Sequence, residues 1–385
     1  MAGHRHEAFA VCVPGLEGIV AAELRALGVR PGPQERGGVG FRATHRQLYA
    51  ANRWLRTATR VLVRVASFRA ASFAELERRA AAVDWAPWVA PGAGVEWRVS
   101  SHASRLYHTG AVAERLARAV GAGGADRWAG RGHPDQSGDE PRPTQLVVVR
   151  IDRDRVTVSV DSSGEPLHHR GWRRETAKAP LRPTLAAALA LAVGWDGTVA
   201  LVDPFCGSGT IPIEAALLAR GLPPALERAY AFQRWPSFEP GAWASVAGAV
   251  RTAVERAEGT IAPAAIVARD RDAGAVAVTA RNAERAGVAA DLDLAVAAIS
   301  ALHPPPGPPG WVITNPPYGT RLAGGDLRDL YARLGTVLRT KLAGWRVGLL
   351  VADRRLAGHT GLALDEALRT TSGGMAVRFL VGDAG

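Results

Sequence analysis

The sequence predicts an α/β chain: a back half built on an open, doubly wound, mostly parallel sheet, joined to an α+β front half. Three observations carry this. Beyond about residue 175, short apolar strands alternate with helical patterns. Before it, strands and helices follow one another without that rhythm and close on a hairpin signal. The length of 385 residues suits two or three domains, and 47% hydrophobic with 22% charged residues excludes a disordered or fibrous chain.

Residues 7–13, Glu-Ala-Phe-Ala-Val-Cys-Val, are short and apolar and read as a strand. Leu16, Ile19, Val20, Leu24 and Leu27 recur at helical spacing, and Gly28 suits the position after a helix end. Gly37–Phe41 reads as a turn feeding a strand. Thr44 is placed to cap a second helix carrying Leu48, Leu55 and Leu62 on one side and Arg46, Arg53, Arg56 and Arg60 on another, although Val61–Val65 also reads as a strand. Helical patterns at Phe73–Val83 and Gly110–Val120 flank a strand at Val95–Ser100. Residues 121–144, rich in Gly, Pro and Asp, read as a surface loop. Gln145–Ile151 and Arg155–Asp161 form a hairpin across Asp152-Arg-Asp154. The back half then reads as strands at Val199–Asp203, Ala265–Ala268, Trp311–Thr314, Trp345–Ala352 and Ala376–Val381. Helices are expected at Thr210–Ala219, Asp272–Ala286 and Leu327–Leu342.

Charge divides the chain. Residues 1–182 hold 28 Lys+Arg against 18 Asp+Glu, a net of +10, whereas residues 183–385 hold 19 against 18, a net of +1. Only Lys178 and Lys341 are lysines. A front half rich in guanidinium predicts a polyanionic partner; codon bias would explain arginine in place of lysine but not the asymmetry. Cys12 and Cys206 are too few for a disulfide framework or a thiolate metal site, and no metal is expected. The opening residues lack the apolar core of a signal peptide. The longest apolar stretch, Leu185–Val193, is far short of the ~20 residues a membrane span needs, so a cytoplasmic protein is expected.

On doubly wound sheets ligands bind at the carboxyl ends of strands, and three unusual segments fall there. Asp203-Pro-Phe-Cys-Gly-Ser-Gly-Thr210 joins a strand to a helix. Its Gly-x-Gly is open to nucleotide binding or to a plain tight turn, but with no Walker lysine a phosphate cradle is disfavoured. An acid ahead of the glycines suits a cationic ligand. In Ala268-Arg-Asp-Arg-Asp272, Asp270 can accept ribose hydroxyls while Asp272 is placed to cap the next helix. Asn315-Pro-Pro-Tyr318 could simply end a strand. Its residue types also suit an exocyclic amine, whose lone pair is delocalised into the ring. An amide oxygen and a proline carbonyl can accept both N–H groups and turn the lone pair outward, and Tyr318 offers a stacking face.

Together these segments resemble the class I S-adenosylmethionine-dependent amino-methyltransferases. Gly164-Glu-Pro-Leu-His-His-Arg-Gly-Trp172, Ala179-Pro-Leu-Arg182, Thr184-Leu-Ala186, Pro14-Gly-Leu-Glu-Gly18, Asn52–Ala58 and Ser104–Gly110 extend the resemblance to the THUMP-domain RNA guanine-N2 methyltransferases. That resemblance implies a ferredoxin-like segment (1–66), a THUMP RNA-binding domain (67–165), a linker flanking the cofactor (166–182) and a Rossmann-like methyltransferase domain (183–385). It implies S-adenosyl-L-methionine as cofactor, held by Asp203, Phe205, Cys206, Gly207, Ser208, Gly209 and Thr210, by Asp270 and Arg271, by Leu181, Arg182 and Thr184, and by Asn315. It implies Asn315, Pro316, Pro317 and Tyr318 as the residues acting on the target amine. The family's acidic residue after the third strand is replaced here by Ala297-Ala-Ile-Ser300, which leaves Ser300 or a backbone group to meet the adenine. Structured RNA, ribosomal or transfer, is the implied partner.

Other readings share parts of the pattern. A DNA adenine-N6 or cytosine-N4 methyltransferase uses the same tetrapeptide, but little chain after Gly319 is left for target recognition. A protein glutamine methyltransferase also uses it and has no need of a basic front half. A binding protein without catalysis would explain only the missing acid. His168 and His169 are expected at the surface near RNA. Cys206 reads as loop packing rather than a nucleophile, and Trp85, Trp88, Trp97 and Trp172 as packing or stacking residues.

Overall fold

A computed structural model describes residues 5–120, 144–175, 181–318 and 327–385. The loop read at 121–144 therefore lies outside the described residues, except for Thr144.

The front half is one seven-stranded sheet in the order β2-β3-β1-β4-β7-β6-β5. Its strands are β1 (His6–Cys12), β2 (Pro31–Glu35), β3 (Gly38–Ala43), β4 (Ala58–Arg69), β5 (Gly94–His102), β6 (Thr144–Asp152) and β7 (Arg155–Asp161). Helices α1 (Glu17–Ala26), α2 (His45–Trp54), α3 (Phe73–Ala81) and α4 (Thr109–Val120) accompany it. Burial alternates along β1, as a sheet with one covered face requires. Thr44 and Gln47 form a reciprocal capping box at the start of α2, an arrangement in which the cap alone contributes about 1 kcal/mol. The expected break at 66/67 lies inside β4, which pairs with β1 through its first half and with β7 through its second.

The second helix is shorter than expected. It ends at Trp54, and Arg60 and Leu62 stand on β4. The helical register of Leu48, Leu55 and Leu62 is overridden because Val61–Val65 is β-branched and gains hydrogen-bonded neighbours on both sides.

The back half is a second seven-stranded sheet in the order β10-β9-β8-β11-β12-β14-β13. Its strands are β8 (Leu201–Asp203), β9 (Ile266–Asp270), β10 (Leu292–Val296), β11 (Trp311–Thr314), β12 (Arg346–Val351), β13 (Leu364–Ser372) and β14 (Met375–Asp383). Strands β8 to β12 are parallel, and β14 and β13 form an antiparallel edge. Its helices are α5 (Pro183–Ala192), α6 (Thr210–Ala219), α7 (Pro240–Ala257), α8 (Ala273–Ala286), α9 (Leu327–Lys341) and α10 (Arg354–Gly358). The chain winds outward from β8 through β9 to β10, and from β11 to β12 on the other side. The switch point, where ligands bind in such sheets, therefore lies between β8 and β11. Among the described residues no helix is long and apolar enough to cross a membrane.

A few front-half arginines join the two halves. Arg53 donates to the Leu226 carbonyl (2.6 Å), and Arg56 donates to the carbonyls of Leu217 (3.3 Å) and Leu222. Arg46 meets Ser245 (3.1 Å), whereas Arg60 pairs within the front half with Asp161, whose carboxyl burial pushes up to about 6. Arg46 is exposed, while Arg53 and Arg56 of the expected arginine face are thus buried in an internal seam. Aromatic contacts reinforce it: Tyr49 stacks on Phe232 with centroids 4.1 Å apart, and Trp88 meets Trp235 edge-on at 4.9 Å. Trp85 and Trp97 pack on each other within the front half, and Trp172 is buried.

Candidate active site

The site grows from the short β8. Its last residue, Asp203, is 1% exposed and accepts hydrogen bonds from the Thr314 hydroxyl (2.6 Å) and the Phe205 amide (3.1 Å). Thr314 closes β11, so this bond ties together the tips of the two strands that flank the switch point. Burial pushes the Asp203 carboxyl up to about 7, against the two hydrogen bonds, and the nearby Asp270 carboxylate adds to the rise.

The following loop turns on two left-handed glycines, Gly207 (φ +55°) and Gly209 (φ +80°). They serve different ends. A Cβ at Gly209 would lie 2.6 Å from the Thr279 methyl, so that position needs glycine for packing against α8. A Cβ at Gly207 would meet nothing within 4 Å, so the loop backbone there faces open space. The Gly207 amide donates to Asp270 (3.0 Å), which brings the end of β9 against the loop. Ser208 and Thr210 are buried and Phe205 is half-buried. Cys206 is buried against Thr279, and burial pushes its thiol up, as fits packing rather than nucleophilic attack.

Asp272 caps α8 through the Gly274 (2.8 Å) and Ala275 (3.3 Å) amides, as expected, and Asp270 receives the Asp272 amide (3.0 Å). Arg271 is exposed. Arg182 is the exposed N-cap residue of α5, with Leu181 and Thr184 buried beside it. Helix α5 packs on α6, which opens from the glycine loop. The Thr184 hydroxyl oxygen is buried with no hydrogen-bond partner among the described residues. Ser300 stands apart: it is exposed, and its carbonyl accepts from Lys341 (2.7 Å).

Beyond β11, the Asn315 side-chain oxygen is likewise buried without a partner. An unsatisfied buried oxygen costs about 1–3 kcal/mol, and native structures keep few of them. The Tyr331 hydroxyl donates to the Pro317 carbonyl (3.3 Å) and steadies the segment. Tyr318 is 4% exposed, so its ring is covered in this structure.

Comparison with known proteins decides the family. Residues 170–373 match the family described as "RMKL-like, methyltransferase domain", and residues 7–62 match the "RlmL ferredoxin-like domain". The chain belongs to the RMKL-like methyltransferase family. The ribosomal RNA large subunit methyltransferase K/L of Syntrophotalea carbinolica is 35% identical over 381 residues, covering 97% of this chain and 53% of that protein. The chain thus spans about half the length of the first curated relatives it matches. A methylase from Clostridium difficile 630, described as "possible", superposes with a TM-score of 0.85 at 29% identity, covering 99% of this chain and 98% of that one. SMU.472, solved with SAH and described as a "putative methyltransferase", gives a TM-score of 0.83 at 26% identity, covering 98% and 97%.

Within this methyltransferase fold several supporting residues escaped the sequence reading. Thr279 donates to the Gly207 carbonyl (2.8 Å), and Asn282 donates to the carbonyls of Ser208 and Glu175 (3.1 Å each). Both are fully buried on α8 and hold the loop from behind. Glu175 is clamped by Arg281 and Arg285, which hold its carboxyl down at about 2. Only Thr314, a lone polar residue ending an apolar strand, left a sequence signal. His168 corrects an expectation. It is half-buried rather than at the surface, its Nδ1 has no partner among the described residues, and burial pushes the ring down to about 4. His169 is exposed, 3.1 Å from Glu165.

Asp203 makes the fold pH-sensitive with a definite sign. Its native pKa lies above the ordinary value of 3.8, so between the two the unfolded chain releases a proton that the folded chain keeps. The contribution is complete below about pH 4 and is lost as pH rises to about 7. Asp203→Asn is expected to flatten the fall in Tm across pH 4–7; an unchanged slope in a thermal-melt series would refute the assignment.

Proposed function

We propose that this chain is an S-adenosylmethionine-dependent RNA methyltransferase that acts on the N2 amine of a guanine in large-subunit ribosomal RNA. The observation that carries the reading is the Asn315 side-chain oxygen, a buried acceptor just past the tip of β11 with no hydrogen-bond partner among the described residues. The membership of a methyltransferase family and the likeness to ribosomal RNA methyltransferases supply the reaction class and the target.

The residues fit the cofactor. Open space in front of Gly207, two carboxylates without a lysine among the loop residues, and the buried Thr184 hydroxyl suit a cationic sulfonium amino acid joined to a nucleoside. In the proposal Asp203 and the 205–210 loop face its amino-acid part, with Leu181, Arg182 and Thr184 at the methionine end. Asp270 takes the ribose, and Arg271 lies at the rim. Ser300 is exposed with its carbonyl engaged by Lys341, so an adenine contact there rests on its hydroxyl or a neighbouring backbone group. When bound, S-adenosylmethionine supplies an electrophilic methyl group.

The chain's own part is positioning. The Asn315 oxygen and the Pro316 carbonyl accept the two amine hydrogens, which localises the nitrogen lone pair and directs it. The nitrogen becomes strongly acidic on alkylation, so no strong base is required. Holding the reactants in line is the main source of rate. Tyr318 stacks the base once its cover is displaced. Residues 67–165 serve as the THUMP RNA-binding unit. The basic front half gathers the RNA, and one guanine is extruded into the cleft, as enzymes acting on bases require. Such an enzyme works in the cytoplasm, where ribosomal RNA is assembled.

The test incubates the purified chain with isotopically labelled cofactor and unmodified large-subunit ribosomal RNA, then separates nucleosides by mass. Labelled N2-methylguanosine is the expected product. Parallel incubations with unmethylated DNA and with protein should stay unlabelled; labelled N6-methyladenosine in the DNA, or labelled glutamine in the protein, would replace this reading with another.

A further inference from the structure

Arg53 and Arg56 are consumed by back-half carbonyls and Arg60 by Asp161 within the front half, so the guanidiniums that remain for RNA lie elsewhere in the front half. Among the exposed arginines of the front half, four, Arg69, Arg105, Arg153 and Arg155, share one end of its sheet. There β4 ends at Arg69, β7 begins at Arg155, and the tight turn between β6 and β7 carries Arg153. The loop after β5 carries Arg105 and Tyr107. Arg69 and Arg155 stand directly opposite each other across the β4–β7 ladder, both exposed. Like charges facing across a ladder destabilise a sheet, and neither guanidinium meets a carboxylate among the described residues. The Arg155 guanidinium donates instead to the Ser67 hydroxyl, at 3.4 Å.

The acids at this tip are engaged otherwise. Asp152 meets His102 (3.1 Å), and Asp154 accepts the Arg105 amide (2.8 Å), holding the β5 loop against the turn. The Arg105 side chain is 76% exposed and only 3.8 Å from Asp154 at its closest. Tyr107 is 67% exposed, a large aromatic ring presented to solvent beside His108. Among the described residues, the only left-handed backbones outside glycine are Ala103, Arg153 and Asp154, and all three lie here. A hairpin turn of that hand favours Asn or Gly. An arginine in it holds a charge outward against local preference, as functional positions do.

We propose that this tip is a docking surface for unpaired nucleotides of the RNA substrate: Arg69, Arg105, Arg153 and Arg155 contact phosphates, and Tyr107 stacks on a base. The inference rests on the RNA reading above and deepens it. At the far end of β7 the Ser162 carbonyl accepts the Phe232 amide of the back half (3.1 Å), so strand rise puts the tip about 20 Å from that seam. Contact is therefore with RNA well removed from the target guanine, and the RNA must span both sites. Planar guanidiniums around an exposed ring match the phosphates and base faces of single-stranded RNA.

The full chain is assayed for binding to unmodified large-subunit ribosomal RNA by filter retention across a salt series, with calorimetry of S-adenosylmethionine binding alongside. The double variant Arg69→Ala/Arg155→Ala is expected to weaken RNA binding about tenfold and to reduce the slope of log K against log salt by about 1.5, as two lost phosphate contacts would. Tyr107→Ala is expected to weaken binding about 5- to 100-fold with the slope unchanged. A blunt RNA duplex as ligand should abolish the Tyr107 effect. Cofactor binding should match the wild type in every variant, and Arg25→Ala/Arg30→Ala, on the α1 side of the sheet, should bind RNA within twofold of it. Tip variants with wild-type affinity and slope, or an equal loss in the α1-side control, would overturn the assignment of the tip. Failure of the wild-type chain to bind or methylate the RNA at all would instead overturn the functional reading beneath it.

Discussion

Asn315→Ala is expected to lower the rate of methyl transfer by about 10³-fold while leaving cofactor affinity unchanged. The magnitude follows from losing a preorganised hydrogen-bond partner at the reacting atom together with the alignment it imposes. The same change has a second, opposite signature. The native amide oxygen is buried without a partner among the described residues, so its removal relieves an unmet polar group, and the variant should melt at or slightly above the wild-type temperature. A collapsed fold would lose activity and stability together; a group held ready for substrate loses activity alone. Asn315→Asp retains an acceptor and should recover part of the rate. If Asn315→Ala turned over at the wild-type rate under single-turnover conditions, the amine clamp would be abandoned.

Glu214→Ala is expected to destabilise the chain by about 3–5 kcal/mol, read from the midpoint of urea unfolding. Glu214 lies on α6, one turn beyond the glycine loop, and pairs with Arg170 of the linker at 3.0 Å, both side chains 1% exposed. Arg170 also donates to the carbonyls of Leu167 (2.7 Å) and Arg56 (2.5 Å). One guanidinium therefore ties the linker, the front half and the cofactor-loop helix together. Removing its carboxylate strands a charge where water cannot reach it, beside Arg56, whose Nη1 lies 4.0 Å from the same Glu214. The exposed clamp of Glu175 by Arg281 and Arg285 provides the contrast. Arg281→Ala should move the unfolding midpoint far less, because solvent screens that pair. Equal costs for the two variants would contradict the weight given to burial.

The order of elements was legible because its signals are local. Val199–Asp203, Trp311–Thr314 and the helix after Asp272 announce themselves by apolar runs and a cap, and all three occur within a residue or two of the expected bounds. Strands β2, β10 and β13 passed unseen. Pro31–Glu35 contains two prolines and little apolar content, and β10 and β13 are only partly buried, so none carries the pattern of a covered strand. Helix α7 escaped for a related reason: of its 18 residues only Val246, Val250 and Ala257 are buried, which leaves a faint stripe.

What the sequence determined by itself was the chemistry at each strand tip: the acid ahead of two glycines, the second acid at the next tip, and the amide followed by two prolines. Residue type and spacing suffice there because each motif is built from neighbours in the chain. The tertiary structure alone decided which polar groups are satisfied. It turned Arg53, Arg56 and Arg170 inward to bind carbonyls and a carboxylate across the seam. It set Thr279 and Asn282 behind the loop and left the Asn315 oxygen without a donor. Those outcomes depend on which distant segments meet and on what water can reach, and neither is written in the local order of residues.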